Sequence, residues 1–343
     1  MPAIWDEKAK QTMKACAEKA GMVAGPQCDV SVAASPFPLE IILEPEATSV
    51  YCQGKAKASL RLRKGDQLLI VDIGGGTIDL VLHEKADDDP QSLKMHEVVK
   101  SYGELEGGTF VDSHFFSFLS EKIRCFKEFC NNHSAIAMRI YGWWQDIKLG
   151  FDGQGYNANL LLPQKLSEAW EKYDNDSGAG SGGCNTEDYD EVRLEDSDFM
   201  EIFRPEVEKV LRLIEKHVGG VRVLMVVGGF ATSPYLRKRI MEKFWGMVDE
   251  IIVLEDPGSA ICHGAVRLHI ANDIIQLKIA KITYGIRTRS VAVRGNPEEF
   301  SMVDDDGRWM CQNTFDVFVK EGSRVPVGHT VEHSVLPVVH GQR

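Results

Sequence analysis

Two glycine clusters carry the residue types and spacing that handle phosphate. In the first, Asp72-Ile73-Gly74-Gly75-Gly76-Thr77-Ile78-Asp79-Leu80, three glycines separate two apolar runs and an Asp stands just inside each run. Glycines let backbone N–H groups turn inward and approach an anion closely. The flanking carboxylates, hard oxygen donors, can hold Mg²⁺ through water, and the Thr77 hydroxyl can bond a phosphate oxygen. A hairpin turn without chemistry usually needs only one or two glycines. Both readings remain open for this stretch alone.

The second cluster, Val226-Val227-Gly228-Gly229-Phe230-Ala231-Thr232-Ser233-Pro234, puts a double glycine between an apolar run and a helix start. Ligands gather at such strand-to-helix crevices, although a tight turn has the same composition. The pairing of the two clusters, about 150 residues apart, favours a shared ligand. Other chemistry is poorly represented: there is no H-E-x-x-H, no G-x-S-x-G and no G-x-x-x-x-G-K-[ST]. Trp143-Trp144 reads as a packing pair.

The elements that must position these residues follow from periodicity. Asp6 caps a one-sided opening helix (Ala9, Met13, Cys16, Ala17, Ala20) that stops at Gly21. After a linker through Pro36 and Pro38, Ile41 to Leu43 reads as a short strand, and Glu44-Pro45 opens a helix toward Gly54. Leu68–Ile73, Thr77–His83 and Lys94–Tyr102 read as an antiparallel meander. Residues 109–172 look mostly helical, with Phe110, Phe115, Phe118, Ile123 and Phe126 as an apolar stripe, and 174–190 as a flexible acidic loop. Pro205 opens a helix bearing Val207, Val210, Leu211, Ile214 and Val218, followed by buried strands Val221–Val227 and Ile251–Leu254. Ser233-Pro234 and Asp256-Pro257 each start a helix. Helix and strand in alternation predict parallel strands covered by helices.

The chain has 343 residues, enough for about two domains, with 39 Lys plus Arg against 51 Asp plus Glu and a net charge of −12. A surface of that sign without a basic patch argues against nucleic acid and anionic lipid as partners; the cluster Lys55, Lys57, Arg61, Arg63, Lys64 reads as a solvated turn. No apolar run reaches the roughly 18 residues of a membrane helix, so no membrane partner is expected. Eight cysteines without a C-x-x-C pair point to a reducing, cytoplasmic compartment.

At the two glycine clusters the sequence resembles the actin-like ATPase superfamily, and within it the 70 kDa heat-shock protein family. Asp72–Asp79 is similar to that family's second phosphate loop and Val227–Pro234 to its adenosine loop. Glu44-Pro45, and Asp256-Pro257 with Ala260, Gly264 and Ala265, resemble the starts of its two interlobe helices. Phe230-Ala231, Ile282-Thr283-Tyr284-Gly285, and Arg308-Trp309 ahead of Phe315-Asp316 and Phe318 resemble the divergent 12A/12B-like branch. The resemblance covers nearly the whole chain and is weakest between about 150 and 200.

The resemblance implies an α/β fold of the actin-like (ribonuclease H-like) type with ATP or ADP and Mg²⁺ between two lobes. Residues 1–62 would be a remnant of lobe I, 63–272 lobe II with a helical subdomain over about 109–220, and 273–343 a partial β-rich region. Gly74, Gly75, Gly76 and Thr77 would contact phosphates, Asp72, Thr77 and Glu44 would serve catalysis, and Asp72, Asp79 and Glu44 would hold Mg²⁺ through waters. Gly228 and Gly229 would lie along sugar and adenine, and Lys148 would contact adenine. Phe230 and Thr232 stand where ordinary members place Ser and Arg, and Gly258 replaces an Asp. The family's Asp-Gly-Thr phosphate loop and catalytic lysine lie ahead of the matched region, so the chain is expected to be an amino-terminally truncated form that hydrolyses ATP weakly or not at all. Protein clients or co-chaperones are implied as partners. The alternatives are an inactive interaction module and a sugar or polyol kinase of the same superfamily.

Overall fold

The computed structural model describes residues 1–22, 39–56, 62–89, 92–177, 189–254, 257–270, 274–292, 301–303 and 307–332. The Pro36–Pro38 linker, Lys57, Arg61, Asp256 and most of the acidic loop (178–188) lie outside them. Helix α1 (Glu7–Lys19) is capped by Asp6, which accepts from the Ala9 N–H at 2.8 Å. It buries no residue, because its apolar positions are mostly small alanines with little area to hide. Residues Ile41–Leu43 do not form the expected strand. Ile42 O instead accepts from the Met1 amine (2.8 Å), and the next helix starts with Glu44 N–H donating to Met1 O (2.7 Å).

Helix α2 (Glu44–Ala56) leads to the hairpin β1 (Gln67–Ile73) and β2 (Ile78–Lys85). The stretch read as one strand over Lys94–Tyr102 is two, β3 (Met95–Glu97) and β4 (Tyr102–Glu104), both antiparallel to β2. The break lies after Glu97, whose buried carboxylate accepts from Ser101 N–H (3.1 Å), Ser101 Oγ (2.7 Å) and Ile279 N–H (2.7 Å). Helices α3 (Gly108–Lys122), α4 (Phe126–Asn132) and α5 (Ser134–Ile147) follow. The helical reading to residue 172 is then interrupted by β5 (Ala158–Leu161), which pairs across α6 (Gln164–Ser177) with β6 (Glu191–Leu194).

Helix α7 (Asp196–Glu215) begins nine residues before the expected Pro205 start, and Pro205 sits inside it. Its beginning is fixed by Asp198 Oδ2, which accepts from Glu195 N–H at 2.8 Å. One backbone bond lost at Pro205 is offset by the buried face Phe199, Ile202, Phe203, Val207, Val210 and Leu211. Then come β7 (Val223–Val227), α8 (Pro234–Phe244), β8 (Glu250–Val253) and α9 (Ala260–Ile270), the last preceded by a 3₁₀ turn at Pro257–Ser259. The chain continues with β9 (Ile275–Ile279), β10 (Tyr284–Val291), β11 (Ser301–Val303), β12 (Trp309–Val319) and β13 (Arg324–Pro326).

Eight strands make one mixed sheet in the order β13-β9-β3-β2-β1-β7-β8, with β4 also on β2. β1–β7 and β7–β8 are parallel, as the alternation predicts. The sheet runs past residue 272, because β9 adds parallel to β3 and β13 antiparallel to β9. Strand β8 lies at the end of this order and is half-buried, not buried. β10, β12 and β11 form a separate three-stranded sheet.

Both faces of the central strands are covered. Leu69, Val71 and Ile73 of β1, with Leu224 and Val226 of β7, pack into the large core formed with α3, α5, α7 and α8. Their neighbours Leu68, Ile70, Val223, Met225 and Val227 face the other way, against Tyr51 and Cys52 of α2 and Ala260 of α9. Period-two alternation with apolar residues on both sides is what a central strand of a covered sheet requires. Trp144 is fully buried and stacks on Phe115 at 4.2 Å, with Trp143 against the same core. The chain is thus mixed α/β, consistent with an actin-like ATPase fold.

Candidate functional site

The glycine hairpin closes with Gly74 N–H donating to Thr77 O at 2.9 Å, and the β1–β2 register sets Asp72 directly opposite Asp79. A β-carbon added at Gly76 would meet nothing within 4 Å, and one at Gly75 only the Thr109 methyl at 3.5 Å. The backbone at Gly75 and Gly76 is therefore exposed and uncrowded.

The second cluster is delivered to the same place. Parallel pairing opposes Asp72 and Val227, so the chain leaving β7 turns beside the end of β1. Gly228 has φ +96°, and a β-carbon there would overlap the Ile73 carbonyl and lie 2.5 Å from Asp72 Oδ1. Only glycine fits both demands. Gly229 is helical (φ −62°, ψ −39°) and open, and a β-carbon there would have no neighbour within 4 Å. Thr232 Oγ1 donates back to Gly229 O at 2.6 Å, and Ser233 caps α8.

The acidic groups stand at the same strand ends. Asp72 and Asp79 are buried, 5% and 2% exposed. Burial is the main cause that pushes Asp72 up to about 7, opposed by the Thr48 hydroxyl bond and reinforced by Asp79 and Glu44. Asp79 is pushed up to about 6, again mainly by burial, with Ala3 N–H and Thr77 acting against it and Glu44 for it. Glu44 stands at the first turn of α2, its Oε1 3.6 Å from the Met1 amine. Thr48, one turn on, donates to Asp72 Oδ2 at 3.0 Å. Nearby, Ser49 Oγ and His83 Nδ1 lie 2.7 Å apart with Gln53 Nε2 donating to Ser49 Oγ; burial drives His83 down to about 3, which leaves it a neutral core group.

These carboxylates fit a hydrated Mg²⁺. The donors are all hard oxygens, and a dication would relieve the mutual repulsion and desolvation that raise both Asp residues. Among the described residues no three Asp, Glu, His or Cys side chains converge to ligate an ion directly.

Sequence reasoning missed a third component, Gly107-Gly108-Thr109, which joins β4 to α3. Gly108 N–H donates to Gly74 O (3.1 Å), and Thr109 donates to Gly75 O through its N–H (2.8 Å) and its Oγ1 (2.6 Å). Phe230 packs against Gly108, 3.3 Å from where a β-carbon would sit. The available signal was a double glycine directly before a helix, the same signature as Gly228-Gly229. Behind the turn, buried Glu206 of α7 accepts from Gly107 N–H at 2.5 Å.

Lys148 lies just past α5, its ammonium 2.7 Å from Asp112 Oδ1, with Trp144 Nε1 on the same oxygen at 2.8 Å. Asp112 stands one helical turn after Gly108. The structure thus ties Lys148 to the helix that follows the third glycine turn, while Asp72, Asp79, Thr77, Gly74–Gly76 and Gly228–Gly229 gather at the ends of β1, β2 and β7, with Glu44 beside them.

Comparison with known proteins bears on the family. No protein-family model matches the chain. The whole chain aligns with mouse heat shock 70 kDa protein 12A at 26% identity over 412 positions and with human heat shock 70 kDa protein 12B at 26% over 414. It covers 58% of the length of each. Chaperone protein DnaK of Nitrosopumilus maritimus matches 84% of the chain at 24% identity, covering 41% of that protein. The resemblance carried by the glycine loops therefore holds along the full sequence, which sides with the divergent 12A/12B-like branch of the 70 kDa heat-shock protein family.

Proposed function

We propose that the chain binds Mg-ADP and Mg-ATP in the crevice between the Gly74–Thr77 hairpin and the Gly228–Gly229 turn, as part of an ATP-binding 70 kDa heat-shock-type protein. The observation that carries this reading is the close packing of Gly228 on Asp72 and Ile73, which puts two glycine loops and a carboxylate pair at one sheet end. Gly74, Gly75, Gly76 and Thr77 take the phosphates, and Gly228 and Gly229 run along sugar and base. Asp72, Asp79 and Glu44 hold the Mg²⁺ through water, and the ion neutralises phosphate charge when bound. In the lobe division, 63–272 is assigned to lobe II and 1–62 to lobe I; Lys148, held by Asp112 behind the third glycine turn, is assigned to the adenine.

A second reading, an interaction module without turnover, is favoured by one contact: Asp79 Oδ1 already accepts from Ala3 N–H at 2.6 Å. Protein clients or co-chaperones are the partners that suit either reading, and the six free thiols among the described residues suit the cytoplasm.

The test is calorimetric titration of the purified chain with Mg-ADP, beside Gly76→Ala. The open surroundings of Gly76 predict an unchanged melting temperature and at least a tenfold loss of ADP affinity. Equal ADP affinity of the two proteins, or none in the wild type, would refute the reading.

A further inference from the structure

A trans peptide is planar, so the N–H of one residue points opposite to the C=O of the residue before it. The described residues contain no cis peptide bond. Gly74 O and Gly75 O are both drawn toward the Gly107–Thr109 turn. The N–H groups of Gly75 and Gly76 must then point away from that turn. Which way these two donors face is decided by the turn, not by the hairpin.

What holds the turn is a side chain from the helical layer. Gly107 has φ +147° and presses so close to the hairpin that a β-carbon would lie 2.5 Å from Gly74 O. Its N–H is fixed by Glu206 Oε1 at 2.5 Å. Glu206 is fully buried on the face of α7 that carries Phe203, Val207 and Val210 into the core. A carboxylate there costs free energy unless its oxygens are satisfied. The other oxygen meets Lys209 Nζ at 3.4 Å, and that ammonium also binds Glu106 Oε2 at 2.7 Å. Gly107 N–H makes the hydrogen bond that links this cluster to the glycine turns.

We infer that Glu206 is a positioning residue for the anion site: through Gly107–Thr109 it fixes the peptide planes of Gly74 and Gly75 so that two backbone donors face a phosphate. This rests on the nucleotide reading above and deepens it. A residue that merely stabilises the fold would affect all ligands of the crevice alike. A residue that aims the phosphate donors affects phosphate-bearing ligands selectively.

The experiment compares Mg-ADP and adenosine as titrants of the full chain, in wild type, Glu206→Ala, Glu206→Gln and Thr109→Val. Glu206→Ala should weaken ADP at least tenfold and adenosine by less than twofold. Glu206→Gln keeps an acceptor oxygen for Gly107 N–H and should restore ADP binding to within about threefold of wild type. Thr109→Val removes the exposed Oγ1 donor to Gly75 O without disturbing the core, and should weaken ADP threefold or more with adenosine unchanged; it decides the matter if Glu206→Ala does not fold. Equal losses for ADP and adenosine, or unchanged ADP affinity in Glu206→Ala and Thr109→Val, would overturn the positioning role while leaving the nucleotide reading intact. A wild type that binds no ADP would overturn both.

Discussion

Gly228 and Asp72 touch: with any side chain at Gly228, its β-carbon would lie 2.5 Å from Asp72 Oδ1. The next glycine, Gly229, faces open space in an ordinary helical conformation. The two adjacent positions should therefore respond differently to the same change. Gly228→Ala combines a positive φ with a backbone clash and should destabilise by about 1 to 3 kcal/mol or more. Gly229→Ala should change stability by at most a few tenths of a kcal/mol, which is about 1 °C or less in melting temperature for a chain this size, yet weaken Mg-ADP severalfold by crowding the sugar. Thermal scans with and without ADP separate the outcomes; a Gly229→Ala protein with wild-type ADP affinity removes this loop from the site.

The buried carboxylates should leave a signature in the pH dependence of stability. Asp72 titrates from 3.8 when unfolded to about 7 when folded. A raised folded pKa means that the native state binds the extra proton, so this group's stabilising contribution is present below pH about 4 and is lost as pH rises toward 7. Asp72→Asn removes that loss. The variant should gain on wild type progressively between pH 4 and 7, by an amount on the order of a few kcal/mol at the upper end. Denaturant unfolding of both proteins across this range is the measurement; parallel pH profiles would show that Asp72 is not desolvated as described.

The same groups predict how Mg²⁺ responds to acid. Asp72 and Asp79, at about 7 and about 6, must be ionised to attract the ion through its waters. The rise in melting temperature given by Mg-ADP over ADP with a chelator should be largest above pH 7.5 and should fade by pH 5.5. In Asp79→Asn the difference should be small at every pH. A Mg²⁺ increment independent of pH would place the ion elsewhere.

How much of this was legible in the sequence follows from what is local. Glycines between two apolar runs, the Ser233 cap and the two-sided apolar strands at β1 and β7 are encoded within a few residues, and the structure has them where the pattern puts them. The true start of α7 was also local, in Glu195 and Asp198, but Pro205 is the louder signal and drew the boundary to itself. β4 is only three residues long, so the pattern showed no strand ahead of Gly107-Gly108 and the turn went unassigned. The pairing of β9 with β3, about 180 residues apart in the chain, has no local signature. Glu206 was invisible for another reason: on a helical pattern a glutamate reads as a solvent-facing position, and only the packing shows it fully buried against Gly107.

The crevice also depends on the helices beneath the sheet. Gly264 of α9 lies against α2 so closely that a β-carbon would overlap the Ala47 carbonyl group. Backbone meets backbone, so no rotamer change relieves the clash and the helices must move apart. Overpacking of this kind costs about 1 to 3 kcal/mol, occasionally more, and Gly264→Ala should lower the melting temperature by roughly 2 to 4 °C. Val266→Ala, on the same helix but exposed, should change stability by less than about 0.5 kcal/mol. The consequence reaches the ligand because Thr48 follows Ala47 directly in α2 and donates to Asp72 Oδ2. Moving α2 lengthens that bond, and it also moves Glu44 at the start of the same helix. Gly264→Ala should therefore weaken Mg-ADP more than it weakens ADP measured with a chelator, by threefold or more. If both affinities hold while the melting temperature falls, α2 does not transmit the displacement to the carboxylates, and Glu44 and Thr48 lose their place in the site.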